Sequence, residues 1–169
     1  MGLLGLVFVV GVAGGTQQFL LGAISRQAGP FRAAALSPSV TLLFFAILPL
    51  YYAARARAAG PALRNLGVAV AMAAIGGGYL AEAALGRPWY FYGPGFLGFV
   101  LVAGTAYAVP RLGTAAAATG VVAGQMAASL LWDQLGLFGL AHVPLGGLRV
   151  VGAVILVTGA VLVVRRQTK

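Results

Sequence analysis

Long apolar runs, separated by short stretches that hold every Lys and Arg except Arg149, divide the chain into six segments: Met1 to Ser25, Ala33 to Tyr52, Leu66 to Leu85, Trp89 to Pro110, Gly113 to Leu135 and Leu148 to Val164. Each reaches or approaches the ~20 residues that carry a helix across a bilayer. No Lys or Arg precedes the first run, and it is long for the apolar core of a signal peptide, so it reads as the first span. The pattern predicts an all-α polytopic membrane helix bundle, one integral membrane domain over residues 1–169. It has six hydrophobic helices, of which at least five span. The third, 66–85, stays open: its length suits a span, but it is rich in Ala, contains Gly76-Gly77-Gly78 and carries Tyr79 and Glu82.

The fifth run, GTAAAATGVVAGQMAASLLWDQL, organises the rest. Gly120 and Gly124 stand four apart, with Ala116 and Ala128 extending the row, so one helix face is bare enough for a second backbone to press against it. Gln125, near the midpoint, sits beside that seam, and an amide facing lipid is costly. Other polar groups lie inside the apolar runs: Thr16, Gln17 and Gln18 in the first, Ser37, Ser39 and Thr41 in the second, Thr105 and Tyr107 in the fourth. Gln17 and Gln18 point about 100° apart on a helix, so at least one faces the bundle interior. Gln17, Gln18 and Gln125 are the leading candidates to line a substrate path, with Ser39, Thr105 and Tyr107 behind them. The competing reading of each Gln is an interhelical hydrogen bond worth about 1 kcal/mol.

Composition narrows the class. The chain is 61% hydrophobic and 8% charged, with mean hydropathy +0.99, whereas a soluble domain is nearer a quarter charged. Its net charge of +9 comes from 11 Lys and Arg against Glu82 and Asp133. Those basic residues are spread between and beyond the spans, as topology-setting charges are, and not gathered on one face for nucleic acid. Ten of the 11 are Arg, which together with abundant Ala and Gly hints at a GC-rich bacterial genome. Cysteine is absent, and one His with two scattered carboxylates makes no metal centre. GPGFLG fits G-x-G-x-x-G by letter but lacks the preceding strand and the later ribose-binding acid. No nucleophile, base and orienting group form one constellation. The expectation is therefore no catalytic residue, no cofactor and no metal.

The aromatic runs Tyr51-Tyr52 and Trp89 to Tyr92 mark membrane interfaces. Asp133 sits at the C-terminal end of the fifth helix, where the dipole is negative, and needs a partner. The following connector offers His142 and Arg149, and the expected ion pair is Asp133 with one of them. Glu82 is read as an interfacial acid, close enough to the end of its run to reach water or Arg87.

The stretch RPWYFYGPGFLGFVLVAGTAYAVPRLGTAAAATGVVAGQMAASLLWDQLGLFG, followed by PLGGLRVVGAVILVTGAVLVVRR, resembles the last three spans of the YdcZ-like family in the drug/metabolite transporter superfamily. The shared pattern is an aromatic opening, a Gly-rich helix ending P-R-L-G, then V-A-G-Q, an acid after the helix, and a closing G-x(6)-G helix. TQQFLLGAISRQAGPFRAAALSP resembles that family's first hairpin more loosely. The resemblance implies a half-sized, five-span transporter unit in the inner membrane. Such a unit pairs as a homodimer, antiparallel if its topology is dual, or with a homologous half-unit. The segment 66–85 has no place in that five-span pattern.

Charge counting separates the two topologies. Six crossings put seven basic residues on one side and four on the other, which places both termini in the cytoplasm. Five crossings put five against six, the balance a dual-topology dimer requires. The leading function is secondary transport of a small metabolite. Neutral or anionic substrates are favoured because no carboxylate lies in mid-membrane to exchange protons with a cation. The alternative is a non-transporting subunit that assembles with another membrane protein.

Overall fold

The computed structural model describes residues 2–55, 61–83 and 86–167, with the side chains of 48–50, 52–55, 61–65, 79, 82–83, 160 and 163–167 outside the description. Glu82, Tyr79 and the basic side chains of the second loop and the C-terminal tail therefore lie outside the described residues. Six helices follow one another: α1 (Leu3–Ala28), α2 (Pro30–Arg55), α3 (Pro61–Ala83), α4 (Gly93–Leu112), α5 (Thr114–Leu135) and α6 (Gly147–Gln167). A single 3-10 turn, Trp89–Phe91, precedes α4, and another, Leu137–Gly139, follows α5. The described residues contain no strand. Polar backbone cannot be left open in hydrocarbon, and helices close it locally.

The first connection is shorter than the expected loop SRQAGPFR. Helix α1 runs on to Ala28 and α2 begins at Pro30, so the reversal rests on Gly29 alone. Gly29 has φ +88°, open to glycine and rarely to other residues. Its N–H donates to the Ser25 carbonyl at 2.9 Å, while its carbonyl accepts from the Ala33 N–H at 3.1 Å. Pro30, which lacks an N–H, fits the first helical position. The α4–α5 reversal is built the same way on Gly113, with φ +78°. There the Gly113 N–H donates to Val109 at 2.9 Å and its carbonyl accepts from Ala117 at 3.1 Å.

The chain divides into two compact units, Met1–Ala23 with Val100–Lys169, and Ile24–Phe99. In the first, α5 is flanked by α1, α4 and α6. Contacts between α1 and α5 climb together: Val7 meets Gly120, Gly11 meets Val121 and Gly124, Gly15 meets Gln125 and Ala128, and Thr16 meets Trp132. Contacts between α1 and α4 climb in opposition, Val10 against Gly104 and Gly14 against Leu101. Helix α1 is thus parallel to α5 and antiparallel to α4. In the second unit, α2 packs on α3, and Gly76 lies against the Ser39 carbonyl. The first turns of α4 run parallel to α2: Gly95 meets Ser37 and Val40, and the Phe44 and Phe45 rings meet Phe99.

By length and composition, α1, α2, the segment Trp89–Leu112 and α5 meet the requirement for a span, and α3 and α6 contribute the shorter apolar stretches Leu66–Gly78 and Gly147–Gly159. With 23 residues, α3 is about 35 Å long, enough for a ~30 Å hydrocarbon core. The described residues form a six-helix membrane bundle, with four helices long and apolar enough to span and two shorter apolar ones, α3 and α6.

Six crossings carry the seven-to-four charge bias, so the N-terminus and the C-terminal tail are expected on the cytoplasmic side in every copy. A tag after Lys169, probed with protease in sealed vesicles of each orientation, checks this. A tail protected in half the molecules would show that copies insert in both orientations, against the charge bias.

Candidate functional site

Helix α5 is uncharged from Thr114 to Trp132 and ends on Gly136, whose left-handed φ of 56° lets its N–H return to the Trp132 carbonyl. Its buried residues, Ala116, Ala117, Ala123, Gly124 and Ala128, form one stripe of small side chains. That stripe faces α1. A β-carbon added at Gly11 would strike the Val121 carbonyl oxygen, and one added at Gly124 would strike the Phe8 carbonyl oxygen. The two backbones touch with nothing between them, the close approach that small residues allow in membrane helices. At Gly120 the neighbour is the Val7 side chain, which also packs with Ala108 and Ala117 to close the α1–α4–α5 junction.

Gln125 follows at the midpoint of the same helix. Its amide lies on the bare backbone of α1: a β-carbon at Gly14 would come within 2.7 Å of the Gln125 Nε2 and 3.2 Å of Leu101 Cδ1 on α4. A β-carbon at Gly15 would come within 2.7 Å of the Gln125 carbonyl and 2.8 Å of the Ala128 Cβ. The side chain is half-buried, and among the described residues its amide makes no hydrogen bond. An amide donates two hydrogen bonds and accepts two more. Here that capacity is kept at mid-helix, on a surface that two glycines keep flat.

One and a half turns further along, an aromatic collar crosses the α1–α5 contact. Phe19 stacks on Trp132 with centroids 5.0 Å apart and planes 16° apart. The Trp132 indole N–H donates to the Thr16 hydroxyl at 3.0 Å, and that hydroxyl donates to the Val12 carbonyl at 2.8 Å. Phe138, in a left-handed conformation with φ 54°, turns its ring to within 5.9 Å of Phe19. The connector after α5 is tied down at its base. Asp133 accepts a hydrogen bond from Arg149 Nη1 at 3.0 Å, the Asp133 carbonyl accepts from the Val143 N–H, and the Gln134 side chain accepts from the Leu145 N–H. His142 instead packs against Gly136.

The remaining candidates are placed differently. Gln17 is half-buried and partnered, and Gln18 is exposed on the next face of α1. Ser39 is buried in the other unit, where its hydroxyl donates to Ala35 at 2.7 Å and its carbonyl lies on Gly76. Thr105 donates to Leu101 within α4 at 2.6 Å. Tyr107 is exposed, its ring under the Arg111 guanidinium at 3.8 Å. The hydroxyls of Ser39 and Thr105 satisfy their own helices, whereas Gln125 and Ser129, half-buried one turn apart on α5, make no side-chain hydrogen bond among the described residues. Thr16, Gly14, Phe19 and Trp132 also build the site, although sequence reasoning did not select them. Trp132 reads from sequence as an interface marker, and the one signal of a partner for it is a Thr inside an apolar run.

Gly124→Leu is expected to destabilise the bundle by about 3 kcal/mol, the upper end for overpacking, because the colliding atoms are backbone and cannot turn aside. Gly152→Leu on α6, where nothing lies within 4 Å, is the matched control and should be near neutral. Asp133→Asn is expected to change stability by less than about 1 kcal/mol, since the Arg149 and Asp133 side chains are 42% and 45% exposed. Thermal unfolding in detergent reads all three.

The family model described as "Putative inner membrane exporter, YdcZ" matches residues 2–162. No curated protein and no solved structure matches the chain. The matched span takes in all of α1 to α5 and most of α6, so it covers the glycine seam, Gln125 and the collar alike. The chain belongs to the YdcZ family and is a multi-pass inner membrane protein of the transporter class.

Proposed function

We propose that the protein carries a small neutral or anionic metabolite past Gln125. The observation that carries this reading is the half-buried Gln125 amide, which forms no hydrogen bond among the described residues and lies over Gly14 and Gly15. A polar group without a partner in hydrocarbon is costly, and a solute with its own donors and acceptors relieves that cost while it passes. Asp133 supports the preference in charge by its place: it lies at the end of α5, paired with Arg149 at 3.0 Å, and not at mid-helix. Arg26, Arg87, Arg111 and Arg149 flank the apolar runs, where they would raise the local concentration of an anion at either mouth.

Pairing with a second half-sized unit belongs to the same reading. With both termini on one side in every copy, two identical chains would pair in the same orientation, each with its own Gln125.

Gln125→Met keeps the length and apolar bulk of the side chain and removes the amide. It should leave the melting temperature close to that of the parent protein. A screen of neutral and anionic metabolites by thermal stabilisation, followed by flux in proteoliposomes, should find a solute whose stabilisation and flux are lost in Gln125→Met and survive Glu82→Gln. Undiminished flux in Gln125→Met would remove the residue from the path. Proton-coupled export of a cation abolished by Glu82→Gln would reverse the substrate charge. Absence of both flux and stabilisation from the purified chain would favour a partner-dependent subunit.

A further inference from the structure

One end of the unit Ile24–Phe99 is held together by a single polar contact. The Tyr90 hydroxyl donates to Gln27 Oε1 at 2.9 Å, so the connector into α4 lies beside the last turn of α1 and the Gly29 reversal. The connector is also anchored from below. Phe91 is 1% exposed, the Tyr90 ring meets it at 5.3 Å, and the Arg87 guanidinium carbon stands 5.8 Å from its centroid.

Two rings project from this anchored base. Phe31, in the first turn of α2, is 90% exposed and Trp89, just before α4, is 77% exposed, more than any other aromatic side chain among the described residues. A headgroup-level belt accounts for Trp89, whose indole N–H suits the interface, but Phe31 has no polar tip. Arg26, Arg32 and Arg87, all exposed, stand at the same end. Neither 24–47 nor 86–99 contains an acid to offset them.

This end lies between apolar runs, where the chain meets the headgroup layer. A soluble anion would use the guanidinium groups and gain nothing from two projecting rings. A phospholipid uses both, because its phosphate oxygens accept charge-assisted hydrogen bonds from Arg while the rings enter the boundary between headgroups and acyl chains. A basic side chain near an anionic leaflet contributes about 1 kcal/mol, or about fivefold in binding.

We infer that this end is a binding site for anionic phospholipid, with Arg26, Arg32 and Arg87 on the phosphates and Phe31 and Trp89 inserted beneath them. The inference goes beyond the transport reading and does not rest on it. Arg111 and Arg149, elsewhere on the chain, are left for a soluble anion.

The chain has two tryptophans, so Trp132→Phe leaves Trp89 as the reporter. The full chain is placed in vesicles of phosphatidylcholine and phosphatidylglycerol at equal mole fraction, with bromine on the acyl chains of one lipid or the other. Brominated phosphatidylglycerol should quench Trp89 severalfold more than brominated phosphatidylcholine. Arg26→Gln, Arg32→Gln and Arg87→Gln combined should bring the two lipids to parity, whereas Arg111→Gln, at the end of α4, should keep the preference. If Trp132→Phe does not fold, phosphatidylglycerol retained by the parent and by each arginine variant is counted by native mass spectrometry, with a loss of about fivefold expected per arginine. Equal quenching by both lipids, or a preference that survives removal of all three arginines, overturns the inference. So does inorganic phosphate that raises the parent's melting temperature as far as phosphatidylglycerol does and leaves the triple variant unmoved, because the site would then serve a soluble anion.

Discussion

The arrangement depends on one contact, the meeting of the α1 and α5 backbones at Gly11 and Gly124. In hydrocarbon there is no water to expel from between two apolar helices, so association depends on how many atoms come into van der Waals range. Two glycines face to face bring peptide groups into contact that any side chain would hold apart. Everything beside the seam takes its position from it: Val7 against Gly120 and Ala117, the Gln125 amide over Gly14, and the Thr16–Trp132 bond one and a half turns on.

The same solvent explains the disposition of the polar groups. Most hydroxyls in the spans bond to a carbonyl one turn back, as Thr16, Ser39, Thr105, Thr119 and Thr158 do, and so need nothing from neighbouring helices. Thr41 bonds one turn back to Ser37 and also to Gly95 on another helix. An amide is too large and too polar to be settled in its own turn, so a mid-helix Gln is either met by another helix or reserved for a ligand. Gly14 and Gly15 let the Gln125 side chain and backbone lie directly against α1.

The sequence by itself determined the class and much of the geometry. Six apolar runs in a chain with 8% charged residues predict membrane helices, because hydrocarbon excludes other open backbone. The spacing of Gly120 and Gly124 marks the packing face, and Asp133 at a helix C-terminus demands a cation from the next connector. What the sequence left open needed three dimensions. Helix spacing marks a face but not the face it meets, so neither Gly11 nor the Gly14–Gly15 floor beneath Gln125 could be assigned. Hydropathy weighs 66–85 by composition alone, whereas the structure shows a 23-residue helix packed on α2, with Gly76 against the Ser39 carbonyl. Lipid-facing and core positions draw on the same apolar residues, and only packing tells them apart.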